Sequence, residues 1–200
     1  MDKEQKRELI VEAARERFRK FGLSKTSMHE IASDAGLSVG TLYLYFKNKD
    51  ELIVACADRF AEKHKMEAQK ILASDLPAAE KLQRYLISRY RAVEDTRVGS
   101  SYSAEIARSV LKLYPQRFHD DKEWIHKNIL HLLNEAIDRG EFKIAEPGRD
   151  AEVFVQSIYY FLPVAGAEPF FEPKEGQLIK TIEWFFEKWK AGSDAHSKKR

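Results

Sequence analysis

Hydroxyl and ammonium groups gather in one short stretch, residues 38–49, which reads SVGTLYLYFKNK. Thr41 and the two tyrosines of this stretch offer hydroxyl groups to phosphate oxygens. Gly40 has no side chain, so the backbone there can approach another molecule closely. Lys49 stands at the start of the next helical pattern, where unpaired backbone N–H groups also favour an anion. The spacing therefore predicts a phosphate-binding surface, and the alternative is that the tyrosines pack in the core.

Signs of other chemistry are weaker. The sequence contains no glycine-rich phosphate loop, no His-Glu-x-x-His and no Cys-x-x-Cys. Cys56 lies on the apolar side of a predicted helix, which indicates packing rather than nucleophilic chemistry. His119 with Glu123, and His131 with Glu135, are four residues apart, so each pair could share a metal ion. Metal binding therefore stays open as an alternative, as does an enzyme; no cofactor is expected.

Composition places the chain among ordinary globular proteins. Its 200 residues are 44% apolar and carry a formal net charge of +2. The excess lies in the first 50 residues, which hold ten Lys and Arg against eight Asp and Glu. A single cysteine cannot form an internal disulfide, and no apolar stretch reaches the ~20 residues of a membrane span. We expect a soluble, cytoplasmic protein. The N-terminal cations that lie close together are Arg15, Arg17, Arg19, Lys20 and Lys25.

Helical periodicity runs through nearly the whole chain. Ser27 and Glu30 predict a capping box at the start of a short second helix, and Gly36 supplies its left-handed exit. Ser38 is expected to cap a third helix, and Asn48 a longer one over residues 49–72. A first helix is predicted to end at Gly22, and a fifth to begin near Pro77. The remaining four are predicted over about residues 104–114, 120–139, 149–162 and 175–190. The chain is therefore predicted to be all-α, with about nine helices.

The segment TSMHEIASDAGLSVGTLYLYFKNKDEL resembles the DNA-binding motif of the tetracycline-repressor (TetR/AcrR-type) family of bacterial transcriptional regulators. The likeness covers roughly residues 5–52 and rests on Thr-Ser-x-x-x-Ile-Ala, Ala-Gly-x-Ser, Gly-Thr-Leu-Tyr and Tyr-Phe-x-x-Lys-x-x-Leu at uninterrupted spacing. It implies a homodimer whose three-helix helix-turn-helix domain, residues 1–48, binds DNA. Residues 49–190 would bind a small-molecule effector and dimerise, with helix 49–72 connecting the two domains. Residues 191–200 are expected to form a disordered tail.

The resemblance also assigns roles to individual residues. Those implied as DNA contacts are Thr26, Ser27, His29, Ser38, Val39, Gly40, Thr41, Tyr43, Tyr45 and Lys49. The first two would contact phosphates, His29 a base edge or a phosphate, and the last three the DNA backbone. Residues 38–41 would lie where recognition begins. Two positions of the motif that can hold Arg or Gln, the usual readers of G and A, are occupied here by His29 and Val39. Recognition of the DNA sequence is therefore expected to depend on contacts with thymine methyl groups and on DNA shape.

Aromatic residues crowd the C-terminal part of the chain, where composition does not separate a filled core from a ligand cavity. Glu105 lies near the apolar side of its predicted helix and could accept a hydrogen bond from a cationic ligand. The alternative is an ordinary solvated glutamate. We expect an apolar or amphipathic effector. The candidate pocket residues are Tyr85, Tyr90, Tyr102, Glu105, Trp124 and Phe154.

The last two predicted helices are strongly apolar. Paired with their copies in a second subunit they would form a four-helix interface, and the alternative is packing within one chain. The residues expected at the interface are Phe154, Ile158, Phe161, Leu178, Ile182, Phe185 and Trp189. A dimer would place two recognition helices in major grooves about one helical turn apart, which predicts a palindromic double-stranded operator.

The resemblance implies a repressor that effector binding releases from this operator. The alternatives are a metal-responsive regulator, a helical ligand-binding protein without DNA affinity and an enzyme. An effector bound among the helices after residue 72 would tilt the connecting helix and change the spacing of the two recognition helices. A coupling free energy of roughly 1–3 kcal/mol between the two sites would change DNA affinity by about one to two decades.

Overall fold

The computed structural model describes residues 1–98, 101–162 and 172–191, so the predicted tail lies outside the described residues except for Ala191. Every regular element within these ranges is helical, which confirms the all-α prediction. A 3₁₀ turn, Tyr159–Phe161, extends the eighth helix. The α-helices of the described residues are α1 Lys3–Phe21, α2 Met28–Asp34, α3 Val39–Tyr45, α4 Lys49–Leu72, α5 Ala78–Val98, α6 Ser101–Leu113, α7 Gln116–Asp138, α8 Pro147–Ile158 and α9 Glu175–Ala191.

Three helices begin earlier than the sequence pattern predicts, and two of them begin at or next to a proline. Helix α6 starts at Ser101 rather than near residue 104. Helix α8 starts at Pro147 rather than 149; proline fits the first position of a helix because its missing N–H has no intrahelical partner there. Helix α7 starts at Gln116 rather than near residue 120, directly after Pro115, whose φ of −60° is already helical.

The N-terminal helices begin at the capping residues that the sequence indicates. Ser27 and Glu30 form the predicted capping box of α2, with the Ser27 N–H donating to the Glu30 carboxylate at 2.8 Å. Ser38 caps α3 and Asn48 caps α4 through their side-chain oxygens. These caps satisfy N–H groups that would otherwise lack partners at the helix starts.

The described helices enclose two hydrophobic cores. The N-terminal core is formed by α1, α2, α3, the first half of α4 and one residue of α6, Ile106. The C-terminal core is formed by α5, α7, α8, α9 and the end of α4, where Ala68 is fully buried. Helix α4 therefore packs into both cores. No helix within the described ranges has the length and apolar character needed to cross a bilayer.

Phe18 and Phe21 on α1 provide a matched test of the N-terminal core. Phe18 is fully buried, whereas Phe21 is 45% exposed and has the cations of Arg17 and Lys20 over its ring. We expect Phe18→Ala to lower the free energy of unfolding by about 3–5 kcal/mol, because it leaves a cavity. Phe21→Ala should lower it by about 1 kcal/mol or less. Guanidinium denaturation followed by circular dichroism measures both, and equal losses would contradict this core.

Candidate DNA-binding surface and effector-binding residues

A tight turn at Gly36 joins α2 to α3. Gly36 has a φ of +65°, which L side chains rarely adopt, and the next N–H, from Leu37, donates to the Ala32 carbonyl at 2.9 Å. Ser38 then starts α3, where its Oγ accepts from the Thr41 N–H at 3.1 Å. Two short helices in this arrangement form a helix-turn-helix.

Helix α3 turns one side inward and leaves the other exposed. Leu42 is fully buried in the N-terminal core, while Tyr43 is 49% exposed and Leu44 83% exposed. Gly40 is exposed as well. Val39 and Tyr45 are half-buried and pack against the core. The outward face therefore presents a glycine, a tyrosine and a leucine at the surface, with the half-buried Thr41 hydroxyl bonded to Ser38 Oγ at 2.8 Å.

The residues that flank the start of α2 separate into exposed and buried ones. Ser27 and His29 are exposed, as a DNA contact requires. Thr26 is only 4% exposed, and its hydroxyl donates to the Gly22 carbonyl at 2.9 Å. The Thr26 hydroxyl therefore closes the turn after α1, and the contact of Thr26 with a phosphate stays a prediction.

Lys49 lies at the joint between α4 and the segment before α2. Its half-buried ammonium donates to the Leu23 carbonyl at 2.8 Å and to the Thr26 carbonyl at 3.1 Å. An ammonium group has three N–H donors, so one is left for another acceptor. Lys49 therefore has an internal structural role, and its contact with DNA stays a prediction.

Helix α2 is held on α1 by an ion-pair network around Arg17. The guanidinium lies 2.7 Å from Asp34 and 2.7 Å from Glu30. Hydrogen bonds from Ser27, followed by the one from Arg17, lower the pKa of Glu30 to about 2. Glu30 therefore stays ionised at ordinary pH, and both the capping box and the ion pair persist.

The predicted cluster of cations on α1 is largely neutralised by carboxylates. Arg15 pairs with Glu12, and Arg19 pairs with Glu16, each within 2.7 Å. Arg17 pairs with Glu30 and Asp34. The exposed cations closest in sequence to α2 and α3 are Lys25 and Lys47.

The predicted pocket residues are divided between the two cores. Tyr85, Tyr90 and Phe154 are buried in the C-terminal core, and Trp124 packs against it. Tyr102 instead packs against the N-terminal core. The structure does not bring the six residues into one core, because α6 turns the side that carries Tyr102 and Ile106 toward the N-terminal core.

Glu105 lies on this same side of α6 and contacts the DNA-binding part of the chain. Its carboxylate accepts a hydrogen bond from the Leu23 N–H at 3.2 Å. Glu105 therefore has a structural partner within the chain, and its place in an effector pocket stays a prediction. Sequence reasoning missed this contact because the two residues are 82 positions apart.

The predicted dimer residues are mostly buried within the single chain. Phe154, for example, stacks on Phe185 and Trp189 at centroid distances of 4.9 and 5.2 Å. All seven belong to the C-terminal core or pack against it. The predicted interface did not include the apolar side chains that α8, its 3₁₀ turn and α9 leave exposed. These are Val153, Tyr160 and Trp184.

Metal and nucleophile chemistry find no support in the described part of the chain. No three His, Cys, Asp or Glu side chains gather there as a metal site requires. Glu135 lies 2.9 Å from Lys81 and 2.7 Å from Arg139, so its carboxylate already serves two cations. Burial raises the pKa of the Cys56 thiol to about 12, which keeps it protonated.

Comparison with known proteins gives a family model and a set of relatives. Residues 10–56 match the model described as bacterial regulatory proteins, tetR family. The chain is similar to an uncharacterized HTH-type transcriptional regulator, YhgD of Bacillus subtilis (strain 168). The identity is 34% over 83 residues, which are 42% of this chain and 44% of that protein. Alignments with the first curated relatives cover less than half of each relative's length.

Solved structures resemble the whole fold. The chain is similar to a transcriptional regulator from Cytophaga hutchinsonii ATCC 33406, with a TM-score of 0.69 and 26% identity over 90% of this chain and 96% of that one. It is also similar to Thermus thermophilus FadR, a TetR-family transcriptional repressor in complex with lauroyl-CoA. There the TM-score is 0.55, with 20% identity over 90% and 91% of the chains, and at this identity the likeness shows the fold alone. These relatives are regulators rather than enzymes.

Lys49 and Lys47 give a matched test of the joint between α4 and the turn before α2. Lys49→Met removes the ammonium that donates to the carbonyls of Leu23 and Thr26, so we expect the free energy of unfolding to fall by about 1–3 kcal/mol. Lys47→Met, at an exposed side chain, should change it by less than about 0.5 kcal/mol. Urea denaturation measures both, and an unchanged Lys49→Met protein would show that the joint carries no stability.

Proposed function

The chain belongs to the tetR family of bacterial regulatory proteins, and we propose that it is a DNA-binding transcriptional repressor that acts as a homodimer. The observation that carries the proposal is the outward face of α3, where Tyr43 and Leu44 are exposed on a helix whose other side is anchored in the N-terminal core. Large exposed side chains on a short, well-anchored helix indicate a binding surface.

Gly40 supports contact of this face with DNA. A Cβ atom built there would meet no described atom nearer than Ser38 Oγ at 3.9 Å, so internal packing does not require glycine. Close approach of the DNA backbone would require it. The Tyr43 hydroxyl would donate to a phosphate oxygen, and Leu44 would contact thymine methyl groups in the major groove. Ser27 and His29 would add contacts from the start of α2.

The dimer would form through the exposed apolar side chains of α8, its 3₁₀ turn and α9. Val153, Ser157 and Tyr160 follow one another at intervals of four and three residues, which places them along one side of the helix. Trp184, 54% exposed, lies on α9. Two copies of this surface, related by a two-fold axis, would give a four-helix interface and present two α3 helices to a palindromic operator.

An apolar or amphipathic effector would act on DNA binding through the helices shared by the two cores. FadR of Thermus thermophilus is in complex with lauroyl-CoA, which is amphipathic, and this supports such an effector here. Helix α4 packs into both cores, and Asp58 on it pairs with Arg117 of α7. Helix α6 adds the hydrogen bond from Leu23 to Glu105. Movement of α7 or α6 would therefore shift α4 and the spacing of the two α3 helices.

The first experiment is to measure binding of the purified protein to DNA from immediately upstream of its own gene, at several salt concentrations. We expect affinity to fall as salt rises, because phosphate contacts release counterions. The protein should protect a palindromic site from cleavage. If that DNA is bound no better than random DNA, and selection from random duplexes also yields no site, the proposed function is wrong.

Tyr43 and Tyr114 provide matched variants for the DNA surface. Both tyrosines are partly exposed, but Tyr114 follows α6, far along the chain from α3. We expect Tyr43→Ala to weaken DNA binding about tenfold, which corresponds to about 1.4 kcal/mol, through loss of a phosphate contact and its packing. Tyr114→Ala should bind as wild type. Equal losses in both variants would place the binding surface elsewhere.

Trp184 tests the dimer. Trp184→Glu introduces a charge into the proposed interface, where burial without a partner is costly. We expect the variant to sediment as a monomer at concentrations where the wild type sediments as a dimer. Glu183→Gln, at the neighbouring exposed residue, is the control and should leave the dimer intact. A Trp184→Glu protein that remains dimeric, as judged by analytical ultracentrifugation, would contradict this interface.

A further inference from the structure

A group of polar and aromatic side chains lies between α4, α5, α7 and the 3₁₀ turn after α8. Its members, which we term the Arg89 cluster, are His64, Tyr85, Arg89, Asp121, Trp124 and Tyr159. Four separate segments of the chain contribute to it. Most of its members are partly shielded from solvent, so the cluster lies just beneath the surface of the C-terminal domain.

Arg89 contacts Asp121 and Trp124 directly, and its charge acts on His64. Its guanidinium lies 2.5 Å from the Asp121 carboxylate and 5.6 Å from the centre of the Trp124 ring. Trp124 in turn meets Tyr85 edge to face at 5.9 Å. The Arg89 side chain is only 13% exposed, whereas that of Asp121 is 49% exposed. The ion pair therefore joins a largely buried cation to a carboxylate at the surface.

Three buried polar atoms of the cluster have no hydrogen-bond partner among the described residues. They are Arg89 Nε, His64 Nε2 and the Tyr159 hydroxyl. Buried polar atoms are almost always paired, because burial removes their bonds to water. Arg89 Nε can only donate, so it requires an acceptor. Three such atoms in one cluster indicate a place where a polar group from outside the chain binds.

The protonation states of the other two groups suit an acceptor as well. Burial raises the pKa of Tyr159, so its hydroxyl keeps its proton and can donate. Burial is also the main cause that lowers the pKa of His64; Asp95 and Glu67 oppose it, and the charges of Lys63 and Arg89 add to it. A neutral imidazole can carry its proton on Nε2 and donate from there.

We propose that the Arg89 cluster binds the carboxylate of an amphipathic small molecule, which is the effector. This rests on the proposed function, since it names the chemical class of the effector and its site. The carboxylate would accept from the Arg89 guanidinium, including Nε, and from His64 and Tyr159, while the apolar part contacts the rings of Trp124 and Tyr85. A planar guanidinium matches a carboxylate with two parallel hydrogen bonds.

Cations and carboxylates both lie at the cluster. Arg89 and Lys122, whose ammonium lies 5.0 Å from the centre of the Tyr159 ring, are opposed by Asp121. Glu67 lies 3.9 Å from His64, and Asp95 also acts on that imidazole. The negative charge of the ligand would therefore be held by its direct bonds to Arg89 and by Lys122, not by a net positive charge of the whole cluster. In this arrangement Asp121 holds Arg89 in place without the ligand and competes with the ligand for the same cation.

The test uses the full-length protein and two carboxylates, decanoate and phenylacetate, each compared with its alcohol, decanol and phenylethanol. Isothermal titration calorimetry gives the affinities, and the shift in melting temperature gives an independent readout. We expect at least one acid to bind and its alcohol to bind roughly 10-fold to 100-fold more weakly, because the charge-assisted hydrogen bonds are lost. Alcohols that bind as tightly as the acids, or no binding of either acid, would overturn the proposal.

Three variants identify the site. Arg89→Gln should weaken acid binding by roughly 10-fold to 100-fold. Arg84→Gln, on the same helix but exposed and paired with Glu80, is the matched control and should bind as wild type. Asp121→Asn should bind the acid more tightly than wild type, since it removes the competing carboxylate. This gain of affinity keeps the test decisive even if Arg89→Gln fails to fold, and its absence would overturn the proposal.

DNA binding is measured separately, without acid, on the same samples. If the wild type binds an acid through Arg89 but no DNA, the proposed function fails and the carboxylate site stands. If it binds DNA but neither acid, the carboxylate site fails and the regulator stands. When both hold, addition of the acid should change DNA affinity in the wild type and not in Arg89→Gln.

Discussion

The structure depends on the burial of one helix, α4, in two separate cores. Leu52 and Cys56 near its start are buried with α1, α2 and α3, and Ala68 near its end is buried with the C-terminal helices. A continuous helix of 24 residues cannot move at one end without moving at the other. Its packing therefore ties the position of α3 to the packing of α5, α7, α8 and α9.

Helix α6 strengthens this connection at a second point. It belongs to the C-terminal part of the chain, yet its buried residue Ile106 lies in the N-terminal core and Glu105 binds the backbone before α2. Lys49 anchors the start of α4 to the same segment, through the carbonyls of Leu23 and Thr26. Residues 22–26 thus receive contacts from α4 and α6, so a shift of either helix acts on the support of the helix-turn-helix.

Buried polar atoms without a partner among the described residues occur in both parts of the chain, but in different numbers. Arg17, Glu30 and Ser27 bind one another and hold α2 on α1, and a single atom of this network, Arg17 Nε, is buried without a partner. The Arg89 cluster holds three such atoms, Arg89 Nε, His64 Nε2 and the Tyr159 hydroxyl. The proposed ligand site therefore rests on this concentration of unpaired groups, not on a lack of them elsewhere.

The local features of the fold were determined by the sequence itself. Capping residues at Ser27, Ser38 and Asn48, the left-handed turn at Gly36 and the helical periodicity act over a few residues, so their consequences can be predicted without the fold. The helix-turn-helix and the outward position of Tyr43 follow from them, since one side of α3 is apolar enough to be buried.

The tertiary structure alone decided which partner each side chain meets. An apolar residue such as Phe154 satisfies its burial equally well against its own chain or a second subunit, and only the packing of α8 on α9 places it in the core and leaves Trp184 outside. Thr26, Lys49 and Glu105 likewise bond to atoms that their neighbours in sequence do not determine. Burial and hydrogen bonding between distant segments depend on how helices pack, and helical periodicity specifies which face is apolar but not which surface covers it.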